Sequence, residues 1–162
     1  MSHGSVRAAL AATLFLSAAV PAFAQARAIE GVWGMTITLR DCTTGGPMGP
    51  PFMTLLTFHQ GGTVSESNGS PGYAPGQRTE GHGLWKHANG ASFGLRMVAS
   101  IVFTTPPAPP SPGFLAGWQV LTSTLTLTGD SSLTGVARAD FYDQTRQPYR
   151  SVCPTVVGER FQ

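Results

Sequence analysis

The chain has 162 residues, a formal net charge of +2 and 11% charged residues, against the roughly 25% usual in soluble proteins. It carries one lysine, Lys86, and no basic run, so neither nucleic acid nor an anionic membrane surface is an expected partner. Its two cysteines, Cys42 and Cys153, allow one disulfide.

Arg7, the apolar run over residues 8–20 and the small-residue site Ala22-Phe23-Ala24 read as a signal peptide cleaved after Ala24. The run is too short and alanine-rich for a good membrane span, which needs about 20 apolar residues, and no second such run follows. The expected organisation is therefore a leader over 1–24 and a single domain over 25–162, secreted or periplasmic. In that oxidising compartment Cys42 and Cys153 are expected to be bonded.

Strands and turns follow almost throughout. Trp33, Met35, Ile37 and Leu39 alternate with Thr36, Thr38 and Arg40, the period of a half-buried strand. A second run over 51–59 reaches the turn 60–62 and returns over 63–67. The stretch 83–87, the turn 88–90 and a long strand over 91–104 come next, with Phe93, Leu95, Met97, Ala99, Ile101 and Phe103 on one face. After a proline-rich break over 105–113, the chain runs from Phe114 to a turn at 129–131, returns over 132–142, and ends in an eighth strand over 151–161. After the leader no segment keeps helical spacing over three turns.

Short turns follow the even-numbered strands and long connections (43–51, 68–80, 105–113 and 143–149) follow the odd-numbered ones. This predicts an all-β, eight-stranded antiparallel up-and-down meander barrel, closed by pairing the first strand with the eighth, with a tight end and a loop-rimmed mouth. If Cys42 faces Cys153 in that pair, Trp33 meets Gln162 and lies diagonally from Arg160. Both cysteines then share one face, and Trp33 and Arg160 the other. Closing so long a loop stabilises the fold by roughly 4–5 kcal/mol in the chain-entropy account.

Gly31-Val32-Trp33 opening the first strand, with Arg160 near the end of the last, resembles the signature of the calycin superfamily: lipocalins, fatty-acid-binding proteins and avidins. The resemblance implies that Gly31, Trp33 and Arg160 form a structural barrel base, with the guanidinium stacked on the indole. No helix follows the eighth strand, which places the topology nearer the avidin type, and nothing marks a biotin site. The segments "LLTFHQGGTVSE" and "GHGLWKHANGASFG" also resemble a group of secreted bacterial proteins of unassigned function.

The chain has no G-x-S-x-G, no glycine-rich phosphate loop leading into a helix, and no H-E-x-x-H, so no catalytic residue, metal site or cofactor is expected. His59 and His87 end strands at the tight end and His82 begins one near the mouth; all three read as polar residues flanking turns. Arg138 and Asp140 read as an outward surface pair. Glu66 shares a strand face with Val64, and is either a solvated strand-end carboxylate or an inward ligand anchor or base. The segment Thr105–Gly113 reads as a stiff polyproline-like rim.

Gly135, Ala137, Ala139 and Gly158 place small residues on the inward face, where they either leave a cavity or let the barrel flatten until it is full. The leading function is binding of a small apolar molecule, which enters at the mouth and rests against Leu39, Glu66, Met97, Ala99, Ile101, Ala139 and Phe141. That reading is a fold-level analogy. The alternatives are a structural or interaction protein with a filled barrel, or a cyclase or isomerase that uses an inward Glu66 as base.

Overall fold

The computed structural model describes residues 29–109 and 111–161, so the expected leader and its cleavage site lie outside the described residues. The described chain forms nine strand segments: β1 (Gly31–Thr38), β2 (Phe52–Phe58), β3 (Thr63–Ser67), β4 (Gly81–Asn89), β5 (Ser92–Ile101), β6 (Gly117–Leu127), β7 (Ser132–Asp143), β8 (Pro148–Val152) and β9 (Thr155–Arg160). Strands β1 to β7 pair in sequence order, β7 pairs with β9 and β9 with β1, all antiparallel. This closed ring of eight removes the unpaired edges an open sheet would leave.

β8 is an additional strand outside the ring, laid along the mouth half of β7. It continues the register of β9: Ala139 faces Val152, Val136 faces Thr155, and between them the Ala137 N–H donates to the Pro154 carbonyl at 2.9 Å. The expected eighth strand is thus split at Cys153-Pro154, where proline has no N–H to give a ladder.

Cys42 and Cys153 are bonded, with Cα atoms 5.0 Å apart across a sequence separation of 111. The register of the closing pair differs from the expected one by two residues, because Trp33 lies directly opposite Arg160 rather than diagonal to it. The reason is local to Cys42, which sits beyond the end of β1 in a turn instead of at a paired position. There Asp41 Oδ1 accepts the N–H groups of Thr43 and Thr44 at 2.9 and 2.7 Å. A shift of two leaves every side chain on its expected face.

Burial follows the period-2 alternation. Trp33, Met35, Leu56, Phe58, Phe93, Leu95, Leu125 and Leu133 pack in the tight-end half together with Ile29. Ile101, Phe114, Ala139, Phe141 and Val152 form a separate cluster in the mouth half. The small residues expected to decide between a hollow and a full barrel admit large neighbours in the tight-end half. A Cβ on Gly135 would fall 2.5 Å from Leu125 Cδ2, and one on Gly158 would fall 2.5 Å from Met35 Sδ.

Two expectations about β5 and its exit are corrected. The strand ends at Ile101, and Phe103 is exposed in the loop, because the Val102 N–H turns away to the Gln77 carbonyl at 2.7 Å. The proline-rich segment is also not an extended rim. It doubles back as a finger, with Thr105 bridged to Phe114 and Ala108 to Ser111. The chain reverses between Ala108 and Ser111, and Gly113, at φ +69°, lets the returning arm lie close: a Cβ there would fall 2.6 Å from the Pro107 backbone nitrogen.

Candidate functional site

The tight end is closed by a compact set of side chains. Trp33 is fully buried and its indole N–H donates to the Ile29 carbonyl at 2.8 Å, while the Arg160 guanidinium lies 4.4 Å from the ring centroid. Arg160 also donates to the carbonyls of Glu30 and Asp130, so the cation ties both flanking turns to the base. Gly31 at φ +121° leaves the guanidinium room, since a Cβ there would sit 3.0 Å from Arg160 Nη1.

The mouth is built differently, with loops supplying the closing side chains. Tyr73, from the β3–β4 connection, stacks on Phe114 of the finger at 4.3 Å between centroids, and Phe114 lies 5.4 Å from Phe141 of β7. Arg150 of β8 covers this pair from the rim: its guanidinium is 5.0 Å from the Phe114 ring and donates to the carbonyls of Gly113 at 2.8 Å and Pro112 at 3.2 Å. Ser111 Oγ donates to the Gly72 carbonyl at 2.6 Å, fastening one loop to the other. Gln77 is wholly buried. Its amide accepts from the Ala74 N–H and donates to the Phe103 carbonyl and Thr105 Oγ1, at 3.0, 3.0 and 2.8 Å.

Beneath this plug lies a polar cluster. Glu66 points inward, with a side chain only 12% exposed, and its Oε2 accepts from Arg78 Nη2, whose own side chain is 4% exposed. Arg78 Nε donates to Gln119 Oε1, which also receives the Tyr73 hydroxyl at 3.3 Å. Gly81, directly across the ladder from Glu66, makes the pair possible, because a Cβ at 81 would fall 2.6 Å from Glu66 Oε2. Burial pushes the Tyr73 phenol well above its ordinary value against the opposing pull of Arg78, so the neutral hydroxyl is the form this site holds.

Of the residues read as a cavity lining, Ile101, Ala139 and Phe141 meet in the mouth cluster with Leu39 packed against them, while Met97 belongs to the tight-end cluster. Ala99 is buried, and Glu66 stands apart in its ion pair. An internal chamber large enough for a water would leave accessible surface on its lining. Met97, Ala99, Ile101, Ala139 and Phe141 are 3, 3, 2, 1 and 3% exposed, so the space between them is filled.

Sequence reasoning missed Tyr73, Gln77, Arg78, Phe114, Gln119 and Arg150. The available signal was an aromatic set directly after glycine at Gly72-Tyr73 and at Gly113-Phe114. Arg138 and Asp140 pair outward at 2.8 Å as expected. His59 and His87 take local partners, Ser65 Oγ at 3.0 Å and the Gly90 carbonyl at 2.8 Å.

The barrel is compatible with a calycin-like fold and with ligand binding. No protein-family model matches the chain, and no curated protein is significantly similar to it. Among the described residues no helix is long and apolar enough to cross a membrane.

Proposed function

We propose that residues 25–162 form an exported, lipocalin-like barrel that binds a small apolar molecule in its mouth half, beneath the aromatic plug. One observation carries this reading: the mouth is sealed by Tyr73 and Phe114, side chains of connections rather than of the barrel wall. Loops open locally at far lower cost than strands of a closed ladder. Swinging them aside would uncover Ile101, Ala139, Phe141 and Leu39, an apolar floor with the Arg78–Glu66–Gln119 cluster at one side. Export after cleavage following Ala24 belongs to the same reading, and the Cys42–Cys153 bridge suits an oxidising compartment.

A second reading, a filled barrel that works through its exterior, is favoured by the near-complete burial of the inward side chains. Use of Glu66 as a catalytic base is the weakest reading, because its Oε2 is already taken by Arg78.

Displacement of a fluorescent fatty-acid analogue separates the first two. Under the binding reading the wild-type barrel takes up the probe, Phe114→Ala binds it more tightly by removing the internal competitor, and Ala139→Trp loses it. Changes at Asn89 or Asp130 on the tight-end turns leave binding unchanged. Absence of probe binding in both wild type and Phe114→Ala transfers the function to the exterior.

A further inference from the structure

The outer wall formed by β2, β1 and β9 carries a groove that neither the barrel closure nor the mouth site uses. Its floor is Gly34 and Thr36 of β1, and its walls are Met53 on one side and Val157 and Phe161 on the other, with Glu159 and Arg160 also lining it; the groove measures about 370 Å³. The large apolar side chains here face solvent: Val32 is 39% exposed, Met53 65%, Leu55 42%, Val157 56% and Phe161 60%. Phe161 is seated along the floor, since a Cβ on Gly34 would meet its Cε2 at 3.1 Å. Together these five side chains expose roughly 500 Å², within the roughly 300–600 Å² of the largest patch on a typical monomer.

We propose that this wall docks a second copy of the same chain. Three features favour that occupant. First, the ladder makes the surface self-complementary. Thr36 is the direct cross-strand partner of Met53, and Gly34 of Leu55. A two-fold axis parallel to β1 and midway between β1 and β2 keeps each residue at its own level along the strands. It therefore lays Met53 of each copy over Thr36 of the other, and Leu55 against the Phe161 ring that covers Gly34. Second, the area suffices, because two such patches bury roughly 1,000 Å², the lower bound for a specific interface, which points to a weak, concentration-dependent dimer. Third, the outward residues of these strands bring no lysine or arginine, and the two charged residues that line the groove, Glu159 and Arg160, are adjacent and opposite in sign. An anionic lipid surface would require a net positive patch, whereas a charge-poor centre suits a protein interface.

The experiment is sedimentation velocity of the folded, disulfide-intact chain from about 1 to 200 μM, with Met53→Asp and Leu55→Asp as interface variants. Leu84→Asp, at a side chain 66% exposed on another outer wall, serves as the control. The wild type and the control variant should dimerise, and each interface variant should weaken association by at least about tenfold while keeping the wild-type circular dichroism. A second measurement tests the axis directly. Met53→Cys, which flanks the axis, should be joined to its own copy by a short thiol-specific cross-linker, and Leu84→Cys should not. A wild type that stays monomeric at 200 μM overturns the proposal, as does a dimer that survives both aspartates, or a monomer that binds neutral vesicles through this wall. None of these outcomes depends on the mouth site, so each reading can fail without the other.

Discussion

The two ends of the barrel are sealed by opposite means. At the tight end one indole and one guanidinium, both carried on strands of the closing pair, do the work, and the turns there are short. At the mouth the seal is assembled from two connections and an added strand, and is held by side-chain hydrogen bonds of Gln77, Ser111, Arg78 and Arg150. A seal made by wall residues comes apart only with the barrel, whereas one made by loops can open on its own. The contrast separates a structural end from a candidate functional one.

The strongest way to break this contrast is to truncate each seal. Trp33→Ala should cost about 3–5 kcal/mol in global stability, as for other large-to-small core changes. Phe114→Ala should cost about 2 kcal/mol or less, because a loop can settle into the space it leaves. Equal losses in urea denaturation would show that the mouth is as integral as the base.

Next in size is the disulfide, which lies at the mouth end of the closing pair. Replacing Cys42 and Cys153 by serine should cost about 2–5 kcal/mol, the chain-entropy value being the upper end, with hydrogen exchange rising first at the mouth connections. Exchange that rises uniformly would show the bridge acting through the unfolded chain alone.

The ion pair beneath the plug should respond asymmetrically. Glu66→Leu alone leaves a buried guanidinium with one acceptor fewer, and should cost about 1–3 kcal/mol. Glu66→Leu combined with Arg78→Met should recover most of that loss. A double variant as unstable as the single one would mean that Arg78 holds the loop through Gln119 and the Thr79 carbonyl rather than through the carboxylate.

The smallest effect is a pH response confined to the mouth. The Tyr73 phenol is raised in the folded protein, chiefly by burial, so its contribution is fully present below the unfolded value of about 10. It is lost progressively as the pH rises above that value. Exchange at residues 73–78 and 105–109 should therefore increase above about pH 10 before that of β1 and β9, and Tyr73→Phe should abolish the difference. At the acid end, Asp143 is held below its ordinary value by the Thr145 hydroxyl and the Gln147 N–H. Its ordering of the 143–147 turn is present above about pH 4 and fades as the pH falls further.

Much of the frame was legible in the residues because the signals involved are local. Period-2 alternation marked the strands, connection lengths sorted the two ends, and two cysteines permitted a single bridge. Gly31, Trp33 and Arg160 pointed to the base because a residue's face depends only on its parity, which survived a register shift of two. The mouth was not legible, since the place of Tyr73 or Phe114 depends on contacts made dozens of residues away, as between Gly72 and Ser111. Glu66 left two readings open for the same reason: its partner, Arg78, lies in a loop whose path no periodicity describes.

The amino-acid sequence by itself determined the closed ring of eight, the bridge and the inward face of its strands, all consequences of spacing along one chain, but not the added strand β8. Only the tertiary structure decided whether the barrel is full. The volume left by Gly135, Gly158 and Ala139 depends on which neighbours lean into it, and Leu125, Met35 and the mouth cluster around Phe141 do so. Close packing is a property of side chains brought together from distant strands, and no local pattern encodes it.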